Sequence, residues 1–187
     1  MLAVSSASTS KAQPSSPEPW ELAQLMALMA ETSATNERFT ESKSLAVLRE
    51  PLRLTGTLAY QRPDRLEKHV ISPYEEHFVV EGNTLTLAAK DGKTKRIALT
   101  KYPMIQAFVE SIRGTLAGDA DALKRFYRVA LAGDRRNWTL TLTPLDQGLA
   151  AYVRTIELSG SESQVTRIDI QEAGGDSSVM TIHKDAS

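Results

Sequence analysis

The residue types that most often carry chemistry are few in this chain, and their spacing does not form a catalytic or metal site. The three histidines are His69, His77 and His183, and the 187 residues include no cysteine. Strand pairing could bring His69 and His77 together, but no third ligand stands at a suitable position. We therefore expect no metal site, and thiol catalysis, disulfides and cysteine-ligated zinc are excluded.

The adjacent carboxylates Glu75 and Glu76 could resemble an acid pair beside Tyr74. Consecutive residues of a strand point to opposite faces, so these two carboxylates cannot act together. The sequence contains no G-x-S-x-G, H-E-x-x-H, P-loop or dinucleotide-binding pattern. Its glycines at 133 and 174–175 precede aspartates and are typical of hairpin turns. We predict that the chain is not an enzyme and uses no cofactor.

Composition and charge are those of an ordinary folded domain. The chain is 41% hydrophobic, with a formal net charge of −1 and a pI of about 6.3. This charge argues against a nucleic-acid binder that works by counterion release. No apolar run approaches the ~18–20 residues that a membrane span needs. The length allows one domain with a substantial core.

Residues 52–60 alternate strictly between apolar and polar side chains. Leu52, Leu54, Leu58 and Tyr60 fall on one side of an extended chain, the period-2 pattern of a strand with one buried face. Gly56 lies in the apolar row, where a missing side chain indicates a bend, a bulge or a close backbone approach.

The same alternation and its turn signals predict eleven strands and three helices. The strands are expected at 36–42, 52–60, 66–72, 75–81, 84–89, 93–99, 127–131, 137–143, 149–158, 164–172 and 177–184. Apolar residues at helical spacing predict the helices at 20–33, 103–117 and 119–127. Asp91-Gly92 is a strong hairpin turn signal between the fifth and sixth strands.

The first nineteen residues differ in composition from the rest. They are rich in Ser, Ala, Pro and Gln and cannot bury a core, so residues 1–19 are predicted to be a flexible leader. Residues 20–187 are predicted to form a single domain.

An eleven-stranded antiparallel sheet with one apolar face is too large to lie flat and must curl. Three short helices cover such a sheet only in part, and aromatic residues make up only 6% of the chain. We expect an α+β fold: a curved antiparallel sheet that forms an incomplete, half-open β-barrel, with the helices as a lid over a hydrophobic cavity. A filled core without a cavity is the alternative, and the residues alone leave both open.

An ordered series of apolar, proline and glycine positions runs through both halves of the chain. It comprises Gly56, Leu58, Tyr60, Arg62, Pro63, Asp64, Leu66, Pro73, the run Val79-Val80-Glu81-Gly82, and then Phe126, Trp138, Leu140, Leu142 and Pro144. In this order and spacing the series resembles the periplasmic outer-membrane lipoprotein carriers of the LolA/LolB superfamily, in a short LolA-like form. The resemblance extends from about residue 20 to residue 184.

The resemblance implies a function, partners and a location. A carrier of this kind binds the acyl chains of a lipoprotein or another lipid in its cavity and transfers them toward the outer membrane. Its partners are an inner-membrane donor and an outer-membrane acceptor, and it acts as a monomer without nucleic acid. The expected location is the periplasm, with the signal peptide taken as removed, since residues 1–4 are too short for one. The alternative is a non-enzymatic interaction module of the cell envelope with a filled core and no lipid cargo.

Arg62 is the polar residue for which the resemblance implies a role. On its own, a charge before the turn residue Pro63 is usually solvated. In the carriers the arginine of the matching Arg-Pro step lies beneath the helical lid and donates to backbone carbonyls. The resemblance therefore implies that Arg62 latches the lid, a task suited to the five donors of a guanidinium.

Strand and helix phase predict which side chains line the cavity. They are Leu25, Met29, Phe39, Leu54, Leu58, Tyr60, Leu66, Phe78, Leu87, Ile97, Phe108, Ile112, Trp138, Leu140 and Ile156. An error of one residue in the register of a strand would move its members to the other face.

Two features depart from the carrier pattern. Lys68 stands where the carriers commonly place an aromatic residue. The chain also lacks the lipobox cysteine of a membrane-anchored LolB-type receptor, and it stops soon after its last predicted strand. These departures widen the expected cargo from lipoproteins to glycolipids or other acyl compounds.

Overall fold

The structure is a computed structural model, and it describes residues 20–89 and 92–184. The predicted leader at 1–19 and Asp91 of the predicted hairpin turn lie outside the described residues, so both stay predictions.

One antiparallel sheet forms the body of the protein. Within the described residues it has eleven strands, in the spatial order β6-β5-β4-β3-β2-β1-β11-β10-β9-β8-β7. The strands are β1 Ala34–Ser44, β2 Leu52–Gln61, β3 Arg65–Ser72, β4 Glu76–Glu81, β5 Thr84–Ala89, β6 Thr94–Ala98, β7 Tyr127–Asp134, β8 Asn137–Pro144, β9 Val153–Ser161, β10 Gln164–Glu172 and β11 Ser177–His183. The sheet does not close, since β6 and β7 are its two edges.

Four α-helices and one 3₁₀ turn accompany the sheet in the described part of the chain. They are α1 Leu22–Ala30, the 3₁₀ turn Leu99–Lys101, α2 Pro103–Ala117, α3 Ala120–Phe126 and α4 Gln147–Ala150. Both α2 and α3 lie between β6 and β7 in the chain, so the helical segment joins the two edges of the sheet.

Local sequence explains where the helices begin and end. A reciprocal capping box between Glu21 and Gln24 opens α1, and Pro103 at the first position opens α2. Gly118 ends α2 in the left-handed conformation, with φ of 70°. The Asp119 side chain then accepts from the Ala122 N–H and opens α3.

Gly56 allows β2 and β3 to approach closely beneath an aromatic ring. A Cβ at this position would lie 1.9 Å from the His69 carbonyl oxygen and 2.9 Å from the Phe39 ring. The β2–β3 register also shifts between Thr55 and Gly56. The predicted irregularity at Gly56 is confirmed, because no side chain fits there.

The larger hydrophobic cluster fills one half of the apolar face. Leu25 and Met29 of α1 and Leu123 of α3 pack there with Leu140 of β8 and Ile156 of β9, and all five are 0% exposed. This half of the molecule is a solid core.

A smaller cluster lies at the other end of the sheet. It joins Val80 and Leu85 of the sheet to Leu99 and to Val109 of α2. Between this cluster and the solid core the sheet is not covered by direct packing.

The predicted fold class is confirmed: an open, eleven-stranded antiparallel sheet with three helices of seven or more residues. Several boundaries differ. The first helix, α1, is shorter than the predicted 20–33, and β7 continues beyond the predicted 127–131 through Gly133, which was expected in a turn, to Asp134. The strand predicted at 149–158 begins at Val153, because Asp146 accepts from the N–H groups of Gly148 and Leu149 and caps the short helix α4 there. The first strand, β1, is longer than predicted and runs to Ser44.

Candidate ligand-binding cavity

A cavity of about 960 Å³ lies between the apolar face of the sheet and α2. This volume is near the upper end of the ~300–1,000 Å³ found for small-molecule sites. Its lining is mostly apolar, so its contents would be held by desolvation more than by polar contacts.

Eight of the fifteen side chains predicted for the cavity line it. Six come from β2–β6 and two from α2: Leu58, Tyr60, Leu66, Phe78, Leu87, Ile97, Phe108 and Ile112.

The other seven lie in the solid core and not along the cavity, which corrects their expected position. Each is at most 2% exposed: Leu25, Met29, Phe39, Leu54, Trp138, Leu140 and Ile156. Alternation and helical spacing placed them on inward faces, but in the structure they pack against one another in the larger hydrophobic cluster, which leaves no space beside them.

The second wall of the cavity was not predicted. It is formed by strands at the middle of the sheet and by further residues of α2: Met104, Ile105, Val109, Leu116, Leu158, Val165, Ile168, Ile170, Met180 and Ile182. Alternation places the strand members of this set on the apolar face, but it does not tell which part of that face is hollow.

Arg62 lies where the C-terminal ends of two helices meet. Its Nε donates to the Thr32 carbonyl at 2.8 Å, and its Nη2 donates to the carbonyls of Ala30 at 2.5 Å and Ala117 at 3.0 Å. Ala30 and Ala117 are the last residues of α1 and α2. A cation is favourable at both, because the free carbonyls of a helix C-terminus carry partial negative charge.

Gly118 brings the two helix ends within reach of one guanidinium. A Cβ on Gly118 would lie 2.2 Å from the Met26 carbonyl oxygen and 2.8 Å from the Ala30 nitrogen. The backbone N–H of Arg62 also donates to the Ser33 carbonyl at 3.0 Å. The end of β2 is thus tied both to α1 and to the end of α2.

The cavity wall also contains a charged cluster that the sequence patterns did not indicate. Lys68 Nζ lies 2.6 Å from one carboxylate oxygen of Glu41, and Ser178 Oγ donates to the other at 2.6 Å. Lys43 Nζ is 3.6 Å from Glu41. The Lys68 ammonium also lies 5.0 Å from the centre of the Phe39 ring, within range of a cation–π contact.

Each partner of the Lys68–Glu41 pair has a shifted pKa. Burial alone would raise the pKa of Glu41, but Lys68, the Ser178 hydroxyl and Lys43 together hold it below its ordinary value. Burial lowers the pKa of Lys68, and the Glu41 carboxylate opposes that shift only in part. The 2.6 Å contact joins the Glu41 carboxylate directly to the Lys68 ammonium.

His69 and His77 face each other across the β3–β4 pairing, with ring centroids 5.2 Å apart. Each contacts a different carboxylate: His77 lies 2.7 Å from Glu67, and His69 lies 3.4 Å from Glu75. Across residues 20–89 and 92–184 no three metal-ligating side chains of His, Cys, Asp or Glu group together. In that same part of the chain, no helix has the length and apolarity that a membrane crossing requires.

Comparison with known proteins gives one family match over most of the chain. The family model described as outer membrane lipoprotein carrier protein LolA-like matches residues 14–186. No curated protein sequence matches the chain significantly.

Several solved structures are similar in outline at low sequence identity. A LolA superfamily protein from Nitrosomonas europaea is 11% identical with a TM-score of 0.48, and the alignment covers 89% of this chain and 93% of that one. A chain of the Pseudomonas aeruginosa MucA/MucB complex is 13% identical with a TM-score of 0.46, covering 87% and 56%. A DUF1329 family protein from Desulfovibrio piger is 12% identical with a TM-score of 0.46, covering 89% and 91%.

Proposed function

Because the chain belongs to the LolA-like family of outer membrane lipoprotein carrier proteins, we propose that it is a non-enzymatic periplasmic carrier of acyl chains. Its cargo is a lipoprotein or another lipid, which it moves toward the outer membrane. The observation that carries the proposal is the cavity of about 960 Å³, with apolar side chains on both walls and on the covering helix.

Binding is driven by removal of acyl chains from water. Each buried methylene contributes about 0.8 kcal/mol, so one chain of ordinary length provides ample gross affinity. Phe108 and Ile112 line the cavity from α2, and Leu58, Leu66 and Phe78 line it from the sheet. A chain between them contacts apolar atoms on both sides.

Release requires the covering helices to move or a partner to offer a better groove. Arg62 joins the ends of α1 and α2 to the end of β2 through three carbonyls. We propose that it latches this lid, so that its hydrogen bonds set how readily the cavity opens. The expected partners are an inner-membrane donor and an outer-membrane acceptor, which alternately favour the open and closed lid.

Native mass spectrometry of protein purified from a bacterial periplasm, followed by organic extraction, tests the proposal. We expect a co-purifying lipid or acylated peptide, and uptake of a fluorescent fatty acid by the delipidated protein. A clean apo mass together with no fatty-acid uptake would contradict the carrier function. That result would favour an envelope interaction module that carries no lipid.

A pair of tryptophan substitutions shows whether bound lipid lies in this cavity. Leu87→Trp places a large ring at the cavity wall and should reduce fatty-acid uptake several-fold. Leu145→Trp is the matched control, because Leu145 is 55% exposed and does not line the cavity. Equal uptake by the two variants would place the lipid elsewhere.

A further inference from the structure

The Lys68 side chain crosses the apolar face of the sheet diagonally. Lys68 is paired with Leu58 of β2, whereas Glu41 is paired with Leu54 of the same strand, two inward-facing positions away. The position between them belongs to Gly56, which has no side chain. The ammonium therefore passes above the Phe39 ring that lies over Gly56 and reaches Glu41.

This arrangement leaves hydrogen-bonding capacity on the cavity side. An ammonium has three donors, and among the described residues the hydrogen bond of Lys68 goes to Glu41 alone. The Lys68 side chain is 25% exposed and the Glu41 side chain 3% exposed, and both lie in the cavity wall. A ligand in the cavity thus meets an ammonium with an unused donor.

The surrounding charges favour a neutral acceptor over an anion. The cavity lining contains five acidic and three basic side chains, so it has no excess of positive charge: Glu37, Glu41, Glu67, Glu162, Glu172, Lys43, Lys68 and Lys184. A ligand anion here would add an uncompensated charge to a poorly hydrated site, which is costly. A carbonyl oxygen accepts a hydrogen bond without adding charge.

Apolar side chains flank the pair on each side. Phe78 is the β4 partner of Lys68, and Met180 is the β11 partner of Glu41. Both line the cavity. If a polar group of a ligand binds at the Lys68–Glu41 pair, hydrocarbon can therefore extend from it in either direction along the cavity. An acyl ester has this form, because its hydrocarbon continues beyond the ester linkage.

We propose that Lys68, held by the Glu41 carboxylate to which Ser178 also donates, is a polar subsite that binds the carbonyl of an acyl linkage. This inference rests on the proposed carrier function and specifies the chemical class of its cargo. Acyl esters, whose chains are joined through a carbonyl, are bound in preference to alkyl ethers of the same length. Lys68 thus makes part of a mostly apolar wall into a recognition site.

The test compares lipids that differ only in this carbonyl. Binding of diester phosphatidylcholine and its diether analogue is measured by competition with a fluorescent fatty acid. A synthetic diacylglyceryl lipopeptide and its dialkylglyceryl analogue are measured in the same way. We expect each diester to bind about tenfold more tightly than its diether, the effect of one hydrogen bond to a charged donor. The diester with the higher affinity identifies phospholipid or lipopeptide as the better cargo.

Two variants keep the test informative if one folds poorly. Lys68→Met leaves the buried Glu41 without its main partner, whereas E41Q/K68M removes both charges together. Either should bind diester and diether equally, at the affinity of the wild type for the diether. Lys124→Met, at an exposed position of α3, is the matched control and should keep the tenfold preference.

Outcomes for the subsite and for the carrier function are distinct. Equal binding of diester and diether by the wild type would overturn the subsite and leave the carrier function standing. A preference that persists in both Lys68 variants would also overturn it. Failure of the fluorescent fatty acid and of all four lipids to bind would overturn the carrier function and, with it, the subsite.

Discussion

Arg62 shows how a single side chain can contact several elements. Its guanidinium reaches the last carbonyls of α1 and α2 as well as the Thr32 carbonyl between α1 and β1. A lysine has one nitrogen and could not bond all three carbonyls in these directions, whereas the planar fork of arginine spans them. The family resemblance predicted such a role for Arg62, and its effect on ligand retention is open to direct test.

Replacing Arg62 with leucine should speed the release of bound lipid while the fold is kept. Loss of the three hydrogen bonds should lower the free energy of unfolding by about 1–2 kcal/mol, a small share because the side chain is partly solvated. Arg62→Lys should be intermediate. Stopped-flow transfer of a fluorescent fatty acid to vesicles measures the release rate. Unchanged release in both variants would exclude the latch, and Arg53→Leu, at an exposed position of β2, is the control.

Glu41 should make the protein sensitive to acid. The contacts of Glu41 with Lys68, Ser178 and Lys43 outweigh its burial and lower its folded-state pKa. As the pH falls below the ordinary pKa of glutamate, the unfolded chain takes up this proton before the folded chain does. The contribution of Glu41 to the free energy of unfolding is therefore fully present above the ordinary pKa of glutamate. It falls by about 1.4 kcal/mol for each pH unit between that pKa and the lower folded-state pKa.

Glu41→Gln separates this contribution from those of other carboxylates. Urea unfolding at about pH 7 and at about pH 3 should show a larger loss of stability in the wild type than in the variant. The variant is expected to be less stable than the wild type at about pH 7, because Lys68 loses its partner. Equal losses on acidification would show that Glu41 titrates normally in the folded protein.

At the scale of elements, the pairing of β2 with β3 depends on Gly56. The Cβ of an alanine there would overlap the His69 carbonyl oxygen at 1.9 Å and press on the Phe39 ring. Gly56→Ala should therefore lower the free energy of unfolding by about 3 kcal/mol. Gly174→Ala is the matched control, since no atom lies within 4 Å of its added Cβ, and it should change stability by less than about 0.5 kcal/mol. Equal stabilities in chemical denaturation would contradict the close approach.

The elements themselves were largely predictable from the sequence, because strand alternation and helical spacing are local signals. The misplaced start of β9 has a local cause too. Leu149 looks like an apolar strand position, but Asp146 caps a single helical turn around it. Four residues are too few to show helical periodicity.

The inward polar side chains of β1 explain why the charged cluster was missed. Glu37, Glu41 and Lys43 share the buried face with Phe39, so this strand shows almost no apolar alternation. A sequence pattern identifies Phe39 as buried but gives no reason to place charges beside it. The reach of Lys68 from two strands away, together with Ser178 and Lys43, compensates for the burial of Glu41.

At the scale of the whole molecule, one apolar face serves two purposes. Side chains of α1 and α3 pack with those of β8 and β9 into a solid cluster, whereas a cavity lies between α2 and the inward side chains of β2–β6 and of the more central strands β9–β11. The two halves have the same alternating sequence pattern, so alternation alone could not assign seven of the fifteen predicted lining residues to the solid half. The position of the helices, a non-local feature, decides which half can hold a ligand.

A pair of leucine truncations tests this division. Leu140→Ala in the solid half removes a side chain that is 0% exposed and leaves a cavity among fixed neighbours, so it should lower the free energy of unfolding by about 2–5 kcal/mol. Leu87→Ala removes a side chain that already borders empty space and should cost about 1 kcal/mol or less, because it enlarges a cavity without making a new one.

Lipid binding should respond in the opposite order, with altered fatty-acid affinity in Leu87→Ala and unchanged affinity in folded Leu140→Ala. Denaturant unfolding and fatty-acid titration on the same samples measure both. Similar stability losses in the two variants would mean that the apolar face is filled throughout, and the cavity would then be closed in solution.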